Sequence, residues 1–344
     1  MVLKQWVSVD GVAARMTRSD ARLSLPEVIF AVVSEALADA RCTMDDIDGI
    51  VIAAHDLIDG RSLSSMITGP AAGAYLRDEI RVSEDGLVAI SLAAARIQAG
   101  EAARVVVAAW GRPGEGDVER SSRAAFDPFT EQPLALSETV VSALRAAAYL
   151  REHSARGREA AAAARQERAA ANPRRAPAAG ARPPVYPLRP EEMGVPADVA
   201  AAVVLGTGAG PRITGVGHGT EPARLGERTL AALPGARAAV AAALARSGLR
   251  AHQLDLVELG GPTLFDEVLQ LEAAGLAEPG TGLAGYAAGT WVNPSGGAAA
   301  GDCHPCGGLL RFVEAVRRRP GKALVVAGSA VASQTTTAVI IEEP

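Results

Sequence analysis

Residues 36–53, ALADARCTMDDIDGIVIA, and residues 243–260, ALARSGLRAHQLDLVELG, are two versions of one pattern. Ala36-Leu37-Ala38 precedes Ile47-Asp48 as Ala243-Leu244-Ala245 precedes Leu254-Asp255, with the same spacing and no gap. Each copy predicts the end of a helix, a short polar turn and a strand. A second pair follows. Gly86-Leu87 opens a helical stretch that ends near Gly100 and feeds Arg104–Ala108, and Gly308-Leu309 opens one that ends near Gly321 and feeds Leu324–Ala327. The order helix–strand, helix–strand thus occurs twice. Non-alanine landmarks match as well as alanines, which argues against a chance likeness of alanine-rich sequence.

Outward from the repeat, further strand-like runs are Gly49–Ala53, Val199–Leu205, Leu254–Leu259 and Ala338–Ile341, and helical periodicity covers Leu25–Ala40, Leu87–Gln98, Thr229–Arg246 and Gly308–Arg318. Short, almost wholly apolar strands alternating with helices predict an α/β protein whose buried sheets are covered by helices. At ~150 residues per domain, 344 residues predict about two units. We place an N-terminal half at 1–210, with a loop insertion at about 112–195, and a C-terminal half at 211–344. The insertion opens on the turn-rich Arg112-Pro113-Gly114-Glu115-Gly116. It continues as an Arg/Ala helix from about Val140 to Ala171 and a Pro-rich stretch from Asn172-Pro173 to Pro190. An insertion of this kind in an α/β core serves as a lid, a binding loop or an oligomer contact.

Composition excludes several classes. The net charge of −5 and an aromatic content of 3% argue against a nucleic-acid binder, which needs a positive surplus and stacking platforms. Three cysteines exclude a disulfide-framed scaffold and fit a reducing compartment. Apolar stretches carry Arg, Glu or Asp every few residues, so no membrane span is expected, and Met1–Asp10 shows no signal-peptide core. A cytoplasmic protein is the expectation.

Several stretches resemble the thiolase superfamily, in particular its sterol-carrier-protein-x (lipid-transfer) type. They are Arg96-Ile97-Gln98-Ala99-Gly100-Glu101-Ala102 before a Val-rich strand, Asn172-Pro173, Pro187-Leu188-Arg189, and Asp198–Leu205. In the second half they are Val257-Glu258-Leu259, Glu272-Ala273-Ala274-Gly275-Leu276 and Val292-Asn293-Pro294-Ser295-Gly296-Gly297. The resemblance implies a thiolase fold, two similar halves forming a five-layer αβαβα core. It also implies a homodimer or a heterodimer with a second thiolase-like chain, and chemistry on acyl-CoA or pantetheine thioesters, with coenzyme A as part of the substrate and no bound cofactor or metal. Under it, the Arg surplus in 145–182 is either a solvated helix face or a surface for the phosphates of coenzyme A.

The catalytic motifs depart from the family pattern. Its Cys-x-Ser-Gly turn falls on Ser83-Glu84-Asp85-Gly86, so the nucleophilic cysteine is replaced by Ser83, whose hydroxyl needs a nearby base. The position of its His or Asn in the second motif falls on Gly260. Its Gly-His-Pro histidine falls on Asp302 if the spacing to Gly308 is kept, or on His304 if the His304-Pro305 dipeptide is kept. The helix spacing favours Asp302. Its late Cys-x-Gly loop falls on Ala330–Gln334, without cysteine. The acyl-enzyme mechanism therefore does not carry over.

Among the other features, Cys303 and Cys306 form a C-x-x-C without a second ligand pair, which favours packed thiols over a metal site but leaves a reactive Cys303 open. His55-Asp56 reads as a loop histidine, Gly206-x-Gly208-x-Gly210 as a turn, and Tyr286 and Trp291 as pocket lining. Two functions are carried forward. One is an aldolase-type or acyltransferase-type enzyme working with a small OB-fold/zinc-ribbon partner. Its base would be Glu84, Asp85, Asp302 or His304, and its anion hole would be formed near Gly296, Gly297 and Ser329. The other is an inactive subunit that stabilises an active thiolase or ketosynthase partner.

Overall fold

The computed structural model describes residues 6–17, 22–56, 58, 65–176, 184–329 and 331–344. Part of the Pro-rich stretch (177–183) and Ala330 of the late loop lie outside them. The strands are β1 (Val7–Thr17), β2 (Gly49–Ala53), β3 (Asp78–Val82), β4 (Val105–Gly111), β5 (Asp198–Gly206), β6 (Arg212–Thr220), β7 (Leu256–Gly260), β8 (Lys322–Ser329) and β9 (Thr335–Glu342). The helices are α1 (Leu25–Asp39), α2 (Ser65–Ala71), α3 (Gly86–Gln98), α4 (Val118–Ala124), α5 (Glu138–Glu152), α6 (Arg158–Ala171), α7 (Pro234–Ser247), α8 (Leu264–Ala273), α9 (Gly282–Ala288), α10 (Gly297–Ala300) and α11 (Gly307–Arg318).

The strand order β3-β2-β4-β5-β1-β6-β9-β8-β7 contains the sequence repeat. β2-β4-β5-β1 and β7-β8-β9-β6 run through the same succession of one parallel and two antiparallel pairings. The two sets touch only where Val7 and Ser8 pair with Ile213 and Arg212. The matched aspartates have matched work. Asp48 accepts from the Ala103 and Arg104 amides (2.7 and 3.0 Å) at the entry to β4, and Asp255 accepts from the Lys322 amide (2.8 Å) at the entry to β8. Matched bulges follow Val9 in β1 and Ile213 in β6.

Side chains alternate faces along each strand, and that alternation builds the layers. Val51, Val107, Val203, Val325 and Val339 point to a central layer made by α3 and α11. Ile50, Ile52, Val106 and Val204 point outward to α1. Val257, Leu259, Leu324, Val326 and Ile340 point outward to α7 and α8. Two outer apolar cores and a central one that encloses α3 and α11 thus hold together five layers, αβαβα. Helix and strand approach so closely that a Cβ on Gly11 would overlap the Ala36 carbonyl, and one on Gly215 the Ala243 carbonyl. Gly215→Ala is therefore expected to cost ~1–3 kcal/mol by overpacking. A denaturant midpoint unchanged from wild type would show that α7 does not rest on β6 at this point.

Strands β1, β3 and β6 have no counterpart among the expected runs. β1 carries Asp10-Gly11 in its middle, β6 is glycine-rich, and β3 (DEIRV) is a charged, partly exposed edge. Each lacks the unbroken apolar run of a strand buried on both faces. The single Arg/Ala helix expected from Val140 to Ala171 is two helices, broken at 153–157, where Gly157 (φ +86°) caps α6.

Neither reading of the arginine surplus holds for its buried members. Arg145 donates to Asp266 (2.9 Å), Arg158 to Glu192, and Arg165 to Glu267 (3.0 Å), all as buried pairs. They are anchors rather than a solvated face or a phosphate surface. Among the described residues no helix is long and apolar enough to cross a membrane.

Candidate active site

Parallel strands deliver their C-terminal loops to the same edge of a sheet, where open α/β sheets bind ligands. The loops after β2, β3, β7 and β8 meet here around a cavity of about 320 Å³. It is lined by His55 after β2, Ser83–Asp85 after β3, Gly260 at the end of β7 and Pro262 after it, Asp302–His304 before α11, and Gly328 near the end of β8 with Val331 and Ser333 after it. The insertion supplies its roof from α4 and the start of α5, including Glu119, Glu138 and Thr139. The four sequence positions singled out by the family resemblance thus face one space.

Asp85 is the N-cap of α3. It accepts from the Leu87 amide of its own helix (2.9 Å) and from the Gly308 amide of α11 (2.8 Å). One carboxyl group thereby ties the positive ends of both central helices. Burial pushes it up to about 7, against the opposing pull of those amides. Glu84, half-buried beside it, accepts from the Ser329 hydroxyl, whose oxygen in turn accepts from the Asp85 amide (2.7 Å). Ser329 therefore positions Glu84. Ser83 is exposed to the cavity.

The loop before α11 places Asp302 and His304 on the same wall. His304 faces His55, with ring centroids 6.4 Å apart. Crowding by protein lowers the His304 imidazole, and His55 adds to this. The ring nevertheless keeps an open face in the cavity, and with this lowering it is neutral at pH 7. Burial likewise lowers His55, against the raising effect of Asp56, and its Nδ1 is buried without a hydrogen-bond partner among the described residues.

The two thiols differ in access: Cys303 is among the residues that line the cavity, whereas Cys306 is wholly buried. Cys303 Sγ lies against the His304 carbonyl (3.4 Å) and Gly111, and Cys306 donates to the Ala109 carbonyl (3.2 Å) from the central core. Burial raises the Cys306 thiol well above its ordinary value. No group of three or more metal-binding side chains occurs among the described residues. Alkylation of the native protein is expected to label the partly exposed Cys42 first and to leave Cys306 unlabelled until unfolding. Fast labelling of Cys303 in a peptide map would establish it as a reactive thiol.

Not every expected site residue reaches the cavity. The amides of Gly296 and Gly297 are directed to the Asn293 carbonyl (2.8 Å) and the Ser295 hydroxyl (3.3 Å), and both glycines are buried against Ala169 and Glu267. The anion hole expected there is not present, because that loop's donors hold the loop together. Tyr286 does not line the pocket either. It is fully buried and donates to Glu267 (2.6 Å). Conversely, His55, Glu119, Glu138 and Thr139 line the cavity. The His55-Asp56 dipeptide at a strand end was a usable signal for the first, but nothing local marks the other three.

No family model matches the sequence, and no curated protein matches it. Solved structures do match. The Ltp2–ChsH2(DUF35) aldolase superposes with a TM-score of 0.80 at 20% identity, over 99% of each chain. Human mitochondrial 3-ketoacyl-CoA thiolase superposes with a TM-score of 0.73 at 17% identity, also over 99% of each chain. The chain has the thiolase fold.

Proposed function

We propose that this protein makes or breaks a carbon–carbon bond in an acyl-CoA or pantetheine thioester by aldolase-type chemistry, together with a partner subunit. The observation that carries the reading is a cavity whose wall holds proton-transfer groups and, at the family's cysteine position, a serine hydroxyl. Ser83 stands where the fold's relatives would need a thiolate, Cys306 is packed in the core, and Cys303 lies at the wall with its Sγ against the His304 carbonyl. With a hydroxyl in place of the thiolate, acyl transfer at that position is disfavoured and proton transfer remains.

In the cleavage direction, a base takes the proton of the β-hydroxyl, the Cα–Cβ bond breaks to leave an aldehyde or ketone, and the thioester enolate is protonated at Cα. Neutral His304, with Asp302 on the same wall, is suited to the first step. Glu84, held by Ser329, lines the same cavity as a second proton-transfer group for the return of the proton to Cα. The solved aldolase of similar fold supports this reading. We also propose the division into halves at 1–210 and 211–344, dimer formation as a homodimer or with a second thiolase-like chain, and a small OB-fold/zinc-ribbon protein as partner.

The test is to co-purify the chain with the products of neighbouring genes and assay β-hydroxyacyl-CoA cleavage. His304→Ala is expected to lower kcat at least ~100-fold, and Ser83→Ala to change it little. Ser83→Ala abolishing turnover would point to acyl transfer instead. A complex whose activity needs an intact thiolase and survives changes at Glu84, Asp302 and His304 would establish the inactive-subunit reading. That reading has its own support, since Glu84 and Asp85 already serve Ser329 and two helix ends.

A further inference from the structure

We infer that His55 is a second catalytic residue, and that its imidazole and that of His304 hold one substrate oxygen, the β-oxygen, between them. The inference rests on the proposed function in taking His304 to act at that oxygen, and it adds the residue on the oxygen's other side.

Backbone contacts fix both histidines. β2 ends at Ala53, and the next amide, of Ala54, donates to the Val82 carbonyl at the end of β3 (3.1 Å). The His55 carbonyl accepts from the Ile58 amide (3.0 Å), so a turn holds His55 at the sheet edge. His304 comes from the other half of the chain. The carbonyl of Pro305 beside it accepts from the Gly86 amide at the start of α3 (2.9 Å), and a Cβ on Gly111 would come within 2.9 Å of the His304 carbonyl oxygen. Both side chains line the cavity, with ring centroids 6.4 Å apart and 56° between the ring planes.

That spacing sets what the pair can hold. A ring nitrogen lies ~1.1 Å from the ring centre, so rings turned edge to edge leave roughly 4 Å between nitrogens, beyond the about 2.7–3.2 Å of a direct bond. It is the span of two nitrogens that share one oxygen, each ~2.8 Å from it. Nδ1 of His55 is buried, so Nε2 is the nitrogen on the cavity side. A neutral imidazole carries one N–H and one lone pair. With its proton on Nε2, His55 donates to the β-oxygen while the lone pair of His304 accepts the hydroxyl proton. In cleavage the O–H bond breaks toward His304, C=O forms at Cβ, and the Cα–Cβ electron pair passes to Cα. Cα then takes up one proton for the one that left the oxygen. The His55 N–H stabilises the alkoxide charge that develops as the proton leaves. His218 shows the other use of the residue in this chain, since both its nitrogens are engaged, by Ser91 (2.8 Å) and Thr337 (3.0 Å).

The test has a binding arm and a turnover arm. The probes are two pantetheine thioethers, one with a butyl arm and one with a hydroxyl added at the carbon that matches Cβ. A methylene replaces the thioester carbonyl in both, so neither is cleaved. Titrated calorimetrically into the full chain, the hydroxylated probe is expected to bind at least ~10-fold more tightly. His55→Phe and, in a separate variant, His304→Phe are each expected to erase at least ~5-fold of that preference. His55→Ala repeats the measurement with a smaller side chain. In turnover of β-hydroxyacyl-CoA by the co-purified complex, His55→Phe is expected to lower kcat ~100-fold with KM within ~3-fold, and His55→Gln, which keeps an N–H donor, to regain at least ~5-fold. No hydroxyl preference in the wild type, no binding by either probe, or a preference that survives in either folded His55 variant overturns the inference. A preference lost in both histidine variants without any turnover removes the aldolase reading and leaves the two-histidine oxygen site. Turnover unchanged in His55→Phe leaves the aldolase reading and removes this one.

Discussion

Arg165→Met is expected to destabilise the protein by ~3–5 kcal/mol, because it leaves the Glu267 carboxylate buried without its cation. Both partners are wholly inaccessible to solvent. Arg165 grips Glu267 through Nε and Nη2 (3.0 and 3.2 Å) and donates from Nη1 to the Met193 carbonyl (2.8 Å). Glu267 also receives the Tyr286 hydroxyl (2.6 Å) and the Ala298 amide (3.2 Å), so one carboxylate joins α6, α8, α9 and α10. Removing only the cation keeps the cost of burying the anion while losing its compensation. Arg165→Met/Glu267→Gln removes both charges, and more than half of the lost stability is expected to return. Urea unfolding of the two variants measures this. A single variant within ~1 kcal/mol of wild type would mean that the pair behaves like a surface bridge.

Asp85 controls a pH dependence of similar size. Its folded value of about 7 lies above the ordinary 3.8. Below pH ~4 the carboxyl is protonated in both states and burial costs nothing in charge. As pH rises from there, the unfolded chain ionises while the folded one holds its proton, so stability falls until about pH 7 and then levels. Three pH units correspond to about 4 kcal/mol. Glu258, also pushed up to about 7 by burial, against Arg311 and Ser295, contributes with the same sign in the same window. Asp85→Asn is therefore expected to flatten part of the decline. At pH 5 the variant is less stable than wild type, since one helix-end amide loses its acceptor, and by pH 8 the gap closes or reverses. Unfolding at pH 5, 6.5 and 8 tests this. A slope equal to that of wild type would show that Asp85 does not titrate in this range.

Gly86 and Gly308 show why two central helices can share one carboxylate. A Cβ on Gly86 would come within 2.5 Å of the Leu309 Cβ, and one on Gly308 would overlap Asp85. Both glycines stand at helix starts, as their local sequence indicates: Gly86 opens α3 and Gly308 is the second residue of α11. Their close approach to each other was not legible, because the contact crosses the chain from residue 86 to residue 309.

Local pattern determined the repeat, the α/β class and the helix–turn–strand units, because periodicity and the polar turns at Met44–Asp46 and Ala251–Gln253 act over a few residues. The resemblance to the thiolase superfamily pointed to Ser83–Asp85, Gly260 and Asp302–His304, and the fold brings those loops together. Only the tertiary structure decided that the Gly296–Gly297 amides are consumed and that the insertion's arginines are anchors. The physical reason is the same in each case. Whether a charge, thiol or amide is free depends on what packs over it, and here the covering groups come from the opposite half or from the insertion, more than a hundred residues away in several pairs.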